Sequence, residues 1–164
     1  SQGAQSVNEV IAERLPALLK MCDIAHLTGK GKEVVHEPVK GYWSQPFVTS
    51  ELPDLYAMAD LAISRAGAGS IAELAAHTIP SIFVPLRGVA HNHQVKNARA
   101  IEKQGGCILL EQKNLVSTIV PTVAHLLEND GECKRLSSAL ARALPQHADE
   151  KCADIIRKTL ASDG

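Results

Sequence analysis

A chain of 164 residues is long enough for one domain with a sizeable core, and 45% hydrophobic with 21% charged residues is ordinary for a globular protein. A formal net charge of -1 without a dense basic stretch, and only 3% aromatic residues, exclude the positive footprint and stacking platforms of a nucleic-acid binder. No apolar run approaches the ~20 residues that cross a bilayer, and no signal peptide is visible.

Cys22, Cys107, Cys133 and Cys152 show no C-x-x-C pairing. A reducing, cytosolic compartment with the cysteines as small apolar residues is expected, with neither disulfides nor a metal site. The chain opens Ser1-Gln2-Gly3-Ala4 without a methionine. It is expected to be one domain over 1–164 of a longer protein, its first strand lying upstream.

In chain order, residues 5–20 carry helical spacing, with Val7, Val10, Ile11, Leu15, Leu18 and Leu19 on one side. Pro16 predicts a kink or a division into two short helices. Residues 23–28 read as a strand stopped by Gly29-Lys30-Gly31-Lys32, 46–49 (PFVT) as a second, and 52–59 as a helix. Leu61-Ala62-Ile63-Ser64 is a buried-strand run, followed by a glycine-bearing turn over 66–69 and a helix over 70–77. Ser81-Ile82-Phe83-Val84 is the next strand, closed by Pro85; a polar loop over 87–93 leads to a helix over 93–104. Gly105-Gly106 ends that helix before a strand at 107–110, and helices over 115–129, 131–143 and 149–161 complete the chain.

Short apolar strands alternating with helices predict an α/β fold: a Rossmann-like doubly wound parallel sheet with a helical C-terminal tail. Ligands of such sheets sit at the carboxyl ends of the strands, so the loops at 29–33, 49–52, 65–70 and 86–93 are the ones to inspect.

The segment 64–73, Ser-Arg-Ala-Gly-Ala-Gly-Ser-Ile-Ala-Glu, joins a strand to a helix through two glycines. Its backbone can approach a ligand closely, and the first amides and dipole of the helix suit a diphosphate, with Arg65 adding charge. Ser70-x-x-Glu73 has two readings. It is a capping box, or its carboxylate accepts from two sugar hydroxyls. His91, Asn92, His93, Gln94 and Asn97 form a polar cluster at the next helix start, read either as sugar contacts or as a loop capped by Asn92. Its His-x-His pair lacks a third metal ligand.

Three of these pieces stand in a telling order. Ser1-Gln2-Gly3-Ala4 with Asn8, Asp60 through Glu73, and Pro80 to Pro85 followed by Asn92-His93-Gln94 and Asn97-Ala98 resemble the loops of the MurG family of GT-B glycosyltransferases. The two glycines that lead the family's first loop are absent here. The resemblance runs from residue 1 to about 115. It implies that Glu73 binds the uridine ribose, and that Arg65 and the backbone around Ala68, Gly69 and Ser70 lie along the nucleotide and diphosphate. It implies further that Ser1, with Gln2 beside it, meets the phosphate, and that His93 and Gln94, with Asn92 beside them, read the sugar. Thr49 and Leu52 are to pack on uracil.

The activity so implied is metal-independent, inverting transfer of N-acetylglucosamine from UDP-GlcNAc to a lipid-linked acceptor, lipid I to lipid II in peptidoglycan synthesis. It takes place at the cytoplasmic face of the membrane, without nucleic acid. Nothing in the chain resembles the family's N-terminal acceptor domain, so donor binding without transfer is expected of it alone. Two alternatives stand: a single-domain subunit that meets a membrane-bound partner subunit in a two-subunit GlcNAc transferase, and a non-catalytic α/β binding module.

Overall fold

The structure, a computed structural model, describes residues 5–34, 37–86, 92–144, 153 and 157–159. The apolar stripe of the first segment forms one helix, α1 (Gln5–Leu18), which buries Val10, Ile11, Leu15 and Leu18. Pro16 does not divide it, contrary to the sequence expectation. The proline lies in the last turn, where the missing N–H deprives only the Ala12 carbonyl of its partner.

Next come β1 (Ile24–Leu27) and β2 (Tyr42–Gln45). The second strand lies four residues ahead of the expected 46–49. Tyr42 and Trp43 supply the aromatic strand formers, Gly41 turns into the strand with φ +83, and Pro46 follows its last residue. Phe47, read as a strand residue, is 64% exposed.

The remaining elements follow the sequence reading to within a few residues. They are α2 (Leu52–Met58), β3 (Ala62–Ser64), α3 (Ala68–Ala76), β4 (Ser81–Phe83), α4 (His93–Lys103) and β5 (Ile108–Leu109). A 3-10 turn over Gln112–Asn114 then leads into α5 (Leu115–Leu127) and α6 (Asp130–Ala143). The last expected helix, 149–161, lies largely outside the described residues; Ala153 and 157–159 are helical.

All strand pairs among the described residues are parallel, in two sheets: β1–β2, and β3–β4–β5 in that order. Alternation along each short strand sends neighbouring side chains to opposite faces. Ile63, Ile82, Val84 and Ile108 join one core with Val10, Ile11 and Leu18 of α1 and Leu115, Ile119, Val123 and Leu126 of α5. Ala62, Phe83 and Leu109 join the other, with Ile71 and Leu74 of α3, Ala98 and Ile101 of α4 and Leu140 of α6. Each Val, Leu, Ile or Phe side chain among them stabilises the fold by roughly 1.5–3 kcal/mol when fully buried. The β3–β5 sheet is thus covered on both faces, as a parallel sheet requires.

The β1–β2 pair is covered by α1 on one face; on the other, Leu27 and Trp43 are each 41% exposed. No ladder joins β1 to β3 among the described residues. The first turns of α1 bridge the two strands instead, reaching one through Asn8 and the other through Ser6.

Candidate functional site

The residues that follow β1 and β3 are both hydrogen-bonded to the first turns of α1, and Val84, after β4, is joined to them through Arg65. The turn after β3 is the centre of this region. Gly67 is extended (φ -70, ψ 146) and caps α3 without a side-chain hydrogen bond. The first intrahelical bond runs from Ile71 N–H to the Gly67 carbonyl, 3.0 Å. The amides of Ala68, Gly69 and Ser70 precede that bond, so the helix offers three N–H groups and the positive end of its dipole at one point. Ala68 and Gly69 are exposed, and a Cβ built on Gly69 meets nothing within 4 Å.

The capping-box reading of Ser70 and Glu73 is overturned by this geometry. With the helix starting at Ala68, Ser70 is already its third residue, and Glu73 stands in the second turn rather than at the first amides. Its carboxylate is exposed and accepts a hydrogen bond from the Tyr56 hydroxyl, 2.7 Å. Burial first, and the adjacent Glu73 second, push the Tyr56 phenol up to about 12, so it remains a donor at neutral pH. The Tyr56 ring also packs on His77 at the end of α3, centroids 4.7 Å apart.

Arg65, at the end of β3, ties four elements together. Its Nη1 donates to the Val84 carbonyl (2.8 Å) and its Nη2 to Ser6 Oγ (3.0 Å) and Gln112 Oε1 (3.1 Å). Burial lowers its pKa, but a guanidinium stays charged. The charge is held on the short segment that joins β3 to the start of α3, while its terminal N–H groups brace the scaffold. From the facing side, Asn97 Nδ2 donates to the Ala66 carbonyl (3.2 Å), and Gln94 Oε1 accepts from the Leu86 amide (3.0 Å). These bonds hold the start of α4 against the glycine turn and the end of β4. Asn92 has a left-handed backbone, φ 57, and makes no side-chain cap bond; the expected cap is not formed. Asn92 and His93 are exposed, as is Thr49, whose amide donates to Glu51 Oε2 at 3.4 Å; Leu52 begins α2 half-buried.

Of a third group of residues, local spacing marks only Asn8. Asn8 is 2% exposed, and its Nδ2 donates to the carbonyls of Thr28 (2.8 Å) and Lys32 (3.0 Å). That fixes its Oδ1 as an acceptor, so His26 Nε2, 3.1 Å away, must carry the proton. His26 Nδ1 then accepts from the Tyr42 hydroxyl, 2.8 Å. Burial lowers the His26 pKa, in keeping with a neutral ring. The relay pins the Gly29–Lys32 loop to the first turns of α1.

Of the expected site residues, Ala68, Gly69 and Ser70 form the start of α3, Arg65 precedes it at the end of β3, Glu73 stands one turn along the helix, and Gln94 is tethered to Leu86 after β4. Thr49 and Leu52 stand at the start of α2, whose last turn carries Tyr56. Ser1, Gln2 and His91 lie outside the described residues. Among the described residues no three His, Cys, Asp or Glu side chains are grouped to hold a metal ion, and Cys22, Cys107 and Cys133 are free thiols. No described helix is long and apolar enough to cross a membrane. Tyr56, Ser6 and Gln112 reach the site from sequence positions 17 to 59 residues away from their partners, so no local motif announces them.

Residues 1–155 match the glycosyltransferase family 28 C-terminal domain. Among curated relatives, the "UDP-N-acetylglucosamine--N-acetylmuramyl-(pentapeptide) pyrophosphoryl-undecaprenol N-acetylglucosamine transferase" of Lachnoclostridium phytofermentans is 39% identical over 132 residues, 79% of this chain and 37% of the relative. The enzyme of the same name from Parasynechococcus marenigrum is 36% identical over 171 residues, 98% of this chain and 48% of the relative. The chain therefore spans less than half the length of these relatives. The crystal structure of MurG from Acinetobacter baumannii superposes with a TM-score of 0.70 at 22% identity, over 92% of this chain and 46% of that one; it shares the fold. The match over almost the whole chain identifies the domain: this protein belongs to glycosyltransferase family 28, as its C-terminal domain.

Proposed function

We propose that this chain is the donor-binding half of an inverting hexosyltransferase. It binds UDP-N-acetylglucosamine and presents the sugar to a lipid-linked acceptor, the step from lipid I to lipid II in peptidoglycan synthesis, at the cytoplasmic face of the membrane. The observation that carries the reading is the α3 turn. Three helix-start amides stand beside the Arg65 charge, and an exposed carboxylate lies one turn further along the helix. Negative charge develops on the departing UDP as the bond from the anomeric carbon breaks. Preset amides and a helix dipole stabilise that charge without reorganising, so a metal ion is dispensable in this reading.

The other roles follow from position. Glu73 accepts from the ribose hydroxyls, and Thr49 and Leu52 flank the base. Asn92, His93 and Gln94 meet the sugar; because Gln94 Oε1 is committed to Leu86, its contact with the sugar falls to its amide N–H donors. Ser1 and Gln2 complete the phosphate loop. The acceptor hydroxyl attacks C1 from the side opposite UDP and needs a base that an N-terminal acceptor domain or a partner subunit supplies.

Titration calorimetry of the chain with UDP-GlcNAc, UDP and GDP tests the proposal. Binding of both uridine nucleotides and not of GDP is expected, with no transfer to acceptor by the chain alone. A folded chain that binds no uridine nucleotide overturns it.

A further inference from the structure

We infer that Tyr56 is a positioning residue for nucleotide recognition: from α2 it holds the Glu73 carboxylate of α3 in the orientation that accepts a vicinal diol. The inference rests on the reading of Glu73 as the ribose contact. A carboxylate has two oxygens and about four lone-pair directions. Tyr56 uses one of them on Oε2, at 2.7 Å. The other oxygen and the outward lone pairs stay turned to solvent, since Glu73 is exposed. Two adjacent hydroxyls on a five-membered sugar ring need two acceptor directions side by side, which is what remains.

The tether also addresses an entropic difficulty. A glutamate on an exposed helix face samples many rotamers, and binding must freeze them. Tyr56 is itself restrained, because its ring is partly buried against the core that holds Ile71 and Leu74 and packs, tilted, on His77. Its hydroxyl therefore offers a fixed point, and the carboxylate is restrained before ligand arrives. The two residues lie on successive helices, so the bond also sets the spacing between α2, which begins at Leu52, and the glycine turn.

The experiment measures affinities of the chain and its Tyr56→Phe variant for UDP and for 2′,3′-dideoxy-UDP, which lacks the diol. Tyr56→Phe keeps the ring and its packing. An affinity loss of about threefold to tenfold for UDP, the range for one hydrogen bond, is expected with no loss for the dideoxy nucleotide. Glu73→Gln is expected to abolish the difference between the two nucleotides. A wild-type chain that discriminates the nucleotides, with a Tyr56→Phe variant that discriminates equally well, overturns the positioning role alone. Equal losses for both nucleotides make Tyr56 merely structural and overturn it too. A wild-type chain that binds both nucleotides with one affinity overturns the diol reading of Glu73, and this inference with it.

Discussion

Glu73→Gln is expected to weaken UDP binding roughly tenfold to a hundredfold, the range for hydrogen bonds to a charged group, while barely moving the melting temperature. The substitution keeps shape and an acceptor oxygen for Tyr56 but removes the charge and half of the acceptor capacity facing a diol. Stability is spared for a structural reason. The helix is capped at Gly67, six residues before Glu73, so the side chain satisfies no helix-start amide, and exposed substitutions of this kind fall within about 0.5 kcal/mol. Calorimetry and thermal melting on the one variant separate the readings: a non-catalytic scaffold whose glutamate served a cap would lose stability and show no nucleotide effect.

Arg65→Met carries the largest expected effect on the fold. The methionine keeps much of the apolar stem but loses the donors that hold the Val84 carbonyl, Ser6 and Gln112. Those bonds join β3, β4, α1 and the 3-10 turn. Their removal is expected to cost about 2–3 kcal/mol, seen as a fall in Tm of roughly 4–12 °C for a domain of this size. UDP affinity falls with it, since the positive charge beside the α3 amides is gone. Arg65→Lys is expected to recover part of the affinity and little of the stability, because an ammonium restores charge but not the planar fork that reaches three partners. A variant with wild-type Tm contradicts the bracing role.

What was legible in the sequence was what depends on short-range pattern. The strand run at 61–64 and the helices read over 115–129 and 131–143 are each dictated by pattern within a dozen residues, and they fold to within two residues of that reading. Errors arose where two local signals competed. Ser70 and Glu73 have capping-box spacing, yet Gly67 reaches the extended conformation of an N-cap and starts the helix earlier. The apolar PFVT segment resembles a strand, yet Tyr42 and Trp43 make the pairing with β1 and leave Phe47 exposed. The long-range contacts were not legible. Nothing near Glu73 points to Tyr56, and nothing near Arg65 points to Ser6 or Gln112, because tertiary packing alone brings them together. The His26–Asn8 relay is of the same kind; Asn8 belongs to a loop motif, but its buried bonds to Thr28 and Lys32 emerge only in the fold.

The most direct measurement is the amide spectrum of the isotopically labelled chain as UDP is added. The largest shifts are expected at Ala68, Gly69 and Ser70, with smaller ones along α2. Saturable UDP binding that leaves those three amides unmoved would contradict the placement of the diphosphate on the start of α3.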